Sequence, residues 1–242
     1  MNEPVALITD VLHFLGLSSA RALHASGVKV LCHDRAFDSE EKRAAFEKDE
    51  NGLKAAVNQD PDGLSQEVIE TFGRIDILIN NDSYPAHRMP IDKADMSVVR
   101  ETVEHLLLQP YALTAAIAPQ MKAQSSGKII FITSAAPIGG LKNYSPYAAA
   151  RGGVNAMVKS LALELAAHNI QVNAIAPNFI ESPDYFPPKL INDPEKGPRV
   201  LKNIPLGRLG TQDEAAALVS YLASRDADFM TGQVIPFAGG WA

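Results

Sequence analysis

Cysteine occurs once in the 242 residues. A single Cys32, set in the apolar run VKVLC, excludes a disulfide framework and reads as a buried thiol of a reducing compartment. No 18 apolar residues run together, so a membrane-spanning helix is not expected. Runs of basic residues are also missing: 22 Lys and Arg are scattered against 28 Asp and Glu, for a formal charge of −6. That balance gives no footprint for nucleic acid or an anionic membrane, and a small-molecule partner is expected instead. The opening MNEPVALITD has no basic segment ahead of its apolar stretch, which predicts a cytoplasmic location. With 46% apolar residues, a chain of this length buries roughly 70–75% of its unfolded surface and needs no metal to hold its core.

What is present is an alternation. Short β-rich runs at 5–9, 28–33, 53–57, 75–80, 128–133, 170–176 and 233–237 are separated by helical patterns at 18–26, 39–48, 61–72, 94–122, 146–167 and 212–223. The strands are almost continuously apolar, as a parallel sheet covered on both faces requires. The prediction is one α/β domain over 1–242, a doubly wound, seven-stranded parallel sheet in a Rossmann-like three-layer αβα sandwich. Pro110 and Pro119 fall inside the fourth helical pattern and predict a kink or break there. Residues 177–198, with six prolines, form a long irregular loop of the kind that lines a substrate site.

The first strand, turn and helix, followed by Asp34 at the end of the second strand, have the layout of a nucleotide-binding βαβ unit. The turn lacks the glycines that a pyrophosphate needs for close backbone approach. It reads TDVLHFLG over 9–16, where only Gly16 remains, Asp10 repels phosphate and Phe14 fills the cofactor's volume. No cofactor is expected.

The fifth strand leads into Ser134, and the next helix carries Tyr147 and Arg151. Tyr and Arg at i and i+4 share a helix face. If that face looks towards the carboxyl ends of the strands, the three groups converge in one cleft, although each alone also reads as an ordinary turn, packing or surface residue. Ser-x12-Tyr-x3-basic is the catalytic spacing of short-chain dehydrogenases/reductases, which the whole chain resembles. The departures are systematic: a lost glycine turn, Arg in place of Lys, Leu106 about where those enzymes often keep Asn, and Asp82 in place of a small residue. Together they resemble the halohydrin dehalogenases, whose T-x4-F-x-G is matched by Thr9, Phe14 and Gly16, and whose S-x12-Y-x3-R is matched by Ser134, Tyr147 and Arg151.

The resemblance implies closure of a vicinal haloalcohol to an epoxide with release of halide and a proton, and ring opening by anionic nucleophiles in reverse, with no cofactor and no metal. Tyr147 is then the base, although a free phenol titrates at about 10 and must fall by about 2–3 units to act near neutrality. Arg151 supplies that bias, Ser134 anchors the substrate oxygen, and Asp82 is the carboxylate that holds the arginine. Phe14, Tyr84, Pro177, Asn178 and Phe179 are assigned to the halide pocket, and Tyr185 and Phe186 to the substrate side. Family members are usually homotetramers. Two rivals remain at this level: a nicotinamide-dependent oxidoreductase with a degenerate turn, and a catalytically silent member of the fold.

Overall fold

The computed structural model describes residues 3–242. Seven strands, β1 (Val5–Ile8), β2 (Lys29–Cys32), β3 (Leu53–Ala55), β4 (Ile77–Asn80), β5 (Gly127–Ile132), β6 (Ile170–Pro177) and β7 (Val234–Phe237), pair in parallel in the order β3-β2-β1-β4-β5-β6-β7. Every residue of β1, β4, β5 and β6 is buried, and exposure appears only towards the edges. Side chains alternate between the faces. Leu7, Leu31 and Leu78 share one core layer, while their neighbours Ile8, Cys32 and Ile79 share the other.

Ten α-helical segments accompany the sheet: α1 (Gly16–Ala25), α2 (Glu40–Asp49), α3 (Pro61–Phe72), α4 (Met96–Val103), α5 (Gln109–Gln124), α6 (Ala136–Gly139), α7 (Ser145–Leu165), α8 (Pro188–Ile191), α9 (Lys196–Leu201) and α10 (Gln212–Ala223). Leu15 and Leu23, Phe46, and Val219 and Leu222 bring α1, α2 and α10 onto the layer of Ile8. Leu64 and Val68, Ile117 and Met121, and Val154 and Val158 bring α3, α5 and α7 onto the layer of Leu7. The sandwich therefore has three layers, with one turn of topology reversing beside β1, whose neighbours are β2 and β4. Ligand crevices of open α/β sheets open at such a reversal, beyond the carboxyl ends of the strands.

The break expected in the fourth helical pattern has a particular form. A five-residue π turn, Glu104–Leu108, joins α4 to α5, and the Gln109 N–H donates to the Glu104 carbonyl. Pro110 follows at once; it has no N–H, and its ring crowds the carbonyl four residues back, so the widened turn absorbs both defects. Pro119 rides inside α5 without ending it. The π turn delivers the fully buried Leu106 against Tyr147 and Ala150. The stretch 177–198 is less irregular than its composition suggests. It folds into α8 and the start of α9, and pairs Ile180 with Gly210 and Ser182 with Phe186 through isolated bridges.

Gly16 shows how tightly α1 is seated. A Cβ there would lie 2.5 Å from the Val11 carbonyl oxygen and 2.6 Å from its Cα, both backbone atoms that cannot rotate away. Gly16→Ala is expected to lower stability by about 1–3 kcal/mol in denaturant titration, although alanine is the better helix former. An unchanged midpoint would show that the turn yields.

Candidate active site

The site is built at the carboxyl edge of β1, β4, β5 and β6. Ser134 follows β5 by two residues, and Tyr147 and Arg151 lie one turn apart on the buried face of α7. All three are enclosed, with exposures of 5%, 8% and 3%. The Ser134 Oγ accepts the Ala136 N–H at 3.0 Å, which leaves its own proton to be donated elsewhere.

Arg151 is fixed by two carbonyl oxygens. Its Nη1 donates to Ile132 O at 2.9 Å and its Nη2 to Asp82 O at 2.8 Å. The guanidinium carbon stands 5.6 Å from the centre of the Tyr147 ring. Burial works against its charge, but the Tyr147 and Tyr185 phenols and the Asp82 carboxyl more than offset this and hold the arginine above its ordinary pKa. The expected contact between Arg151 and the Asp82 carboxylate is corrected here: the backbone carbonyl of Asp82 takes the hydrogen bond, and the carboxyl acts only through its charge. Burial, reinforced by Asp10 and opposed by Arg151, pushes the Asp82 carboxyl up to about 7.

The turn after β1 keeps the backbone path of a glycine-rich loop with other residues in it. Asp10 (φ 43°) and Phe14 (φ 44°) both adopt the left-handed conformation. The Asp10 carboxylate accepts the Ser83 N–H at 2.8 Å, and the Asn81 Nδ2 donates to the carbonyls of Asp10 and His13 at 3.0 and 2.9 Å. Phe14 donates its N–H to Asp184 Oδ2 at 2.9 Å. Asp34 is committed as well, accepting from the Leu12 and Ala36 amides at 2.9 Å each. The dinucleotide that this fold ordinarily carries does not fit these residues. The phosphate seat holds the Phe14 side chain and two carboxylates, and the acid suited to a ribose is occupied by backbone.

A cavity of about 470 Å³ connects the two halves of the site. Its walls include Ser134 and Tyr147 together with Phe14, Pro177, Asn178, Phe179, Tyr185 and Phe186. The sequence reading missed Pro85, Ala86, Leu141, Tyr144, Asp184 and Leu190, which also line it. Tyr84 is not brought to the cavity: its hydroxyl donates to Glu101 at 2.6 Å and its ring stacks on His105 at 4.7 Å, while its carbonyl accepts the Tyr185 hydroxyl at 3.4 Å. Burial pushes the Tyr185 phenol up, Tyr147 adds to the rise, and Arg151 opposes it. Phe179 is left-handed too (φ 57°), its N–H donates to Asn178 Oδ1 at 2.9 Å, and the Asn178 N–H donates to Phe237 O at 3.1 Å. Trp241 packs edge-on behind Phe179, at 5.7 Å. A larger cavity of about 650 Å³ lies between the 181–192 segment and the start of α10, but neither Ser134, Tyr147 nor Arg151 reaches it. Among the described residues no group of three or more His, Cys, Asp or Glu could hold a metal ion, and no helix is long and apolar enough to cross a membrane.

The protein-family model described as an enoyl-(acyl carrier protein) reductase matches residues 13–242. The chain is 33% identical to a 3-oxoacyl-[acyl-carrier-protein] reductase of Thermotoga maritima, covering 99% of this chain and 98% of that one. It is 34% identical to a (2S)-[(R)-hydroxy(phenyl)methyl]succinyl-CoA dehydrogenase subunit of Thauera aromatica, covering 99% and 97%. Among solved structures, one described as a dehalogenation enzyme superposes with a TM-score of 0.96 at 41% identity, covering 100% of this chain and 99% of that one. A halohydrin dehalogenase bound to ethyl (2S)-oxiran-2-ylacetate superposes with a TM-score of 0.94 at 42% identity, covering 98% and 96%.

Asp82 yields a test of these electrostatics. Its carboxyl titrates near 3.9 in an unfolded chain (a value of about 3.9 is ordinary for Asp) and at about 7 in the fold. The native state holds the proton more tightly, so this group contributes stability in acid that is lost as pH rises towards 7. Asp82→Asn is expected to gain on the parent as pH rises from about 4 to 7 in urea unfolding, by at most roughly 4 kcal/mol. Parallel pH curves for the two proteins would refute the buried, protonatable carboxyl.

Proposed function

Because the chain belongs to the short-chain dehydrogenase/reductase superfamily and yet fills that superfamily's phosphate seat with its own side chains, we propose that it is a cofactor-independent halohydrin dehalogenase. In this reading it is a carbon–halogen lyase that converts vicinal haloalcohols to epoxides and opens epoxides with anionic nucleophiles in reverse. The observation that carries it is the cavity shared by Ser134 and Tyr147 with Phe14 and Phe179, with the buried Arg151 beside Tyr147. The likeness to two dehalogenase structures, one of them with an epoxide bound, supports it.

The residues divide the work by charge. Ser134, whose acceptor side is taken by the Ala136 amide, donates its proton to the substrate oxygen and orients it. Tyr147, one helical turn from the Arg151 guanidinium, takes the hydroxyl proton. The freed alkoxide pair attacks the neighbouring carbon in line, a carbon–oxygen bond forms, and the carbon–halogen pair leaves with the halide. No hydride moves. The departing ion meets the segment Pro177–Phe179 and the Phe14 ring, whose positive aromatic edges suit a large, weakly hydrated anion. Tyr185 reaches towards Tyr147 and Arg151, and Phe186 packs on Phe179 at 5.4 Å. Asp82 supports Arg151 by its carbonyl and its nearby charge.

A homotetramer in the cytoplasm fits this reading. Exposed Tyr111 on α5 and Leu163 on α7 give those helices apolar faces for a second copy. A second reading, a nicotinamide-dependent oxidoreductase, is favoured by the curated relatives named above; Asp10, Phe14 and Asp184 weigh against it.

Incubation with 1,3-dichloro-2-propanol is expected to release chloride and acidify an unbuffered solution, with no saturable binding of NAD(H) or NADP(H). Tyr147→Phe is expected to lower turnover by about 10²–10⁴-fold with the fold intact by circular dichroism. Full activity in that variant would remove Tyr147 from the base role, and absence of halide release by the parent would leave a silent member of the fold.

A further inference from the structure

The loop that follows β6 is tied to the turn that follows β1 by one carboxylate. Asp184 Oδ2 accepts the Phe14 N–H at 2.9 Å, and Oδ1 lies 3.2 Å from His13 Nδ1. The acid is pre-set for this contact, because the amides of Asp184 and Tyr185 donate to the Oγ of the buried Ser182 at 3.0 and 3.3 Å. Phe14 is held at its other end too: its carbonyl accepts Gln212 Nε2 at 2.6 Å. A phenylalanine at φ 44° persists only where its surroundings over-determine it, and these two hydrogen bonds are the clamps. So clamped, the Phe14 ring meets Tyr185 edge-on, at 5.2 Å and 83°, and both rings line the cavity of Ser134 and Tyr147, as does Asp184 itself.

We propose that Asp184 is a positioning residue. Its carboxylate latches the 180–190 loop onto the β1–α1 turn, supplying from within the chain the anion that such a turn otherwise takes from a coenzyme, and so sets the Phe14–Tyr185 wall of the substrate cavity. A backbone N–H just ahead of a ten-residue helix favours a negative partner. The sequence supplies that partner 170 residues downstream. The latch itself is independent of the chemistry; its effect on substrate binding rests on the dehalogenase reading.

Two measurements on the full-length protein separate those claims. In hydrogen exchange, the Phe14 amide is expected to exchange about tenfold faster or more in Asp184→Ala than in the parent. Asp184→Asn, whose amide oxygen still accepts that N–H, is expected to stay close to the parent. Added acetate, a small carboxylate able to enter the vacated seat, is expected to slow exchange again in the alanine variant. In steady-state kinetics, Asp184→Ala is expected to raise KM for the haloalcohol about five- to tenfold with kcat little changed, because the wall contributes equally to ground-state and transition-state binding. Acetate is expected to restore KM.

Unchanged Phe14 exchange in Asp184→Ala overturns the latch. Faster exchange with an unmoved KM, or with kcat falling in step with kcat/KM, overturns the positioning role. If Asp184→Ala does not fold, Asp184→Asn carrying the alanine phenotype in both assays overturns the acceptor argument. Slow exchange in the parent that depends on Asp184, in a protein that releases no halide, counts against the dehalogenase reading and leaves the latch standing.

Discussion

A guanidinium that is 3% exposed and cannot shed its proton sets the terms for the whole cleft. Removing such a charge from water costs several kcal/mol even after relaxation, on the order of what a whole domain has to spare, so Arg151 must be compensated nearby. A parallel sheet does this by construction, because every strand ends on the same edge and presents its last carbonyls there. Arg151 collects two of them, Ile132 at the end of β5 and Asp82 just past β4. The remaining compensation comes from the phenols of Tyr147 and Tyr185 and the Asp82 carboxyl, and the charge in turn opposes the upward push of burial on Tyr185 and Asp82.

The turn beside it shows that left-handed backbone, the ordinary province of glycine, can be held by other residues. Left-handed conformation costs an L residue about 1–2 kcal/mol, and Asp10 and Phe14 both adopt it where glycines would adopt it freely. Each is offset locally. Asp10 is bonded through carboxylate and carbonyl to Ser83 and Asn81, and Phe14 through its amide and carbonyl to Asp184 and Gln212. These bonds run to the segment after β4, to the loop after β6 and to α10, so the turn is strained only while the rest of the carboxyl edge is folded around it.

The seven strands were legible because burial on both faces leaves an uninterrupted apolar run, and the break near residue 110 was legible because proline has no N–H to continue a helix. Its repair by a π turn was not, since a widened turn is a response to packing around Leu106 rather than a local preference. Ser134, Tyr147 and Arg151 could be grouped from sequence because two share a helix face and the third closely follows a strand whose direction the topology fixes. Side chains on irregular backbone were harder to read. Tyr84 turns outward to Glu101, Asp82 offers its carbonyl rather than its carboxylate, and Asp184 finds its partner in a turn remote in sequence. Periodicity carries no information about any of these, because no regular element fixes the direction of the side chain.

The placement of charge also bears on how a product anion would leave. The amides of Asn178 and Phe179 are both spent inside the protein, on Phe237 and on the Asn178 side chain, so this wall presents aromatic edges rather than strong donors. On the proposed chemistry the compensated guanidinium of Arg151 stands beside the base, where alkoxide character develops, and no Lys or Arg lines the side of the leaving group. A cation there would stabilise the departing ion but would also hold it, and turnover would then wait on release. With the only carboxylate on that wall already bonded to Phe14 and facing His13, the anion meets neither a trap nor a bare negative charge. On that reading the leaving side of the cavity is polarisable rather than cationic, which suits an anion that must come and go.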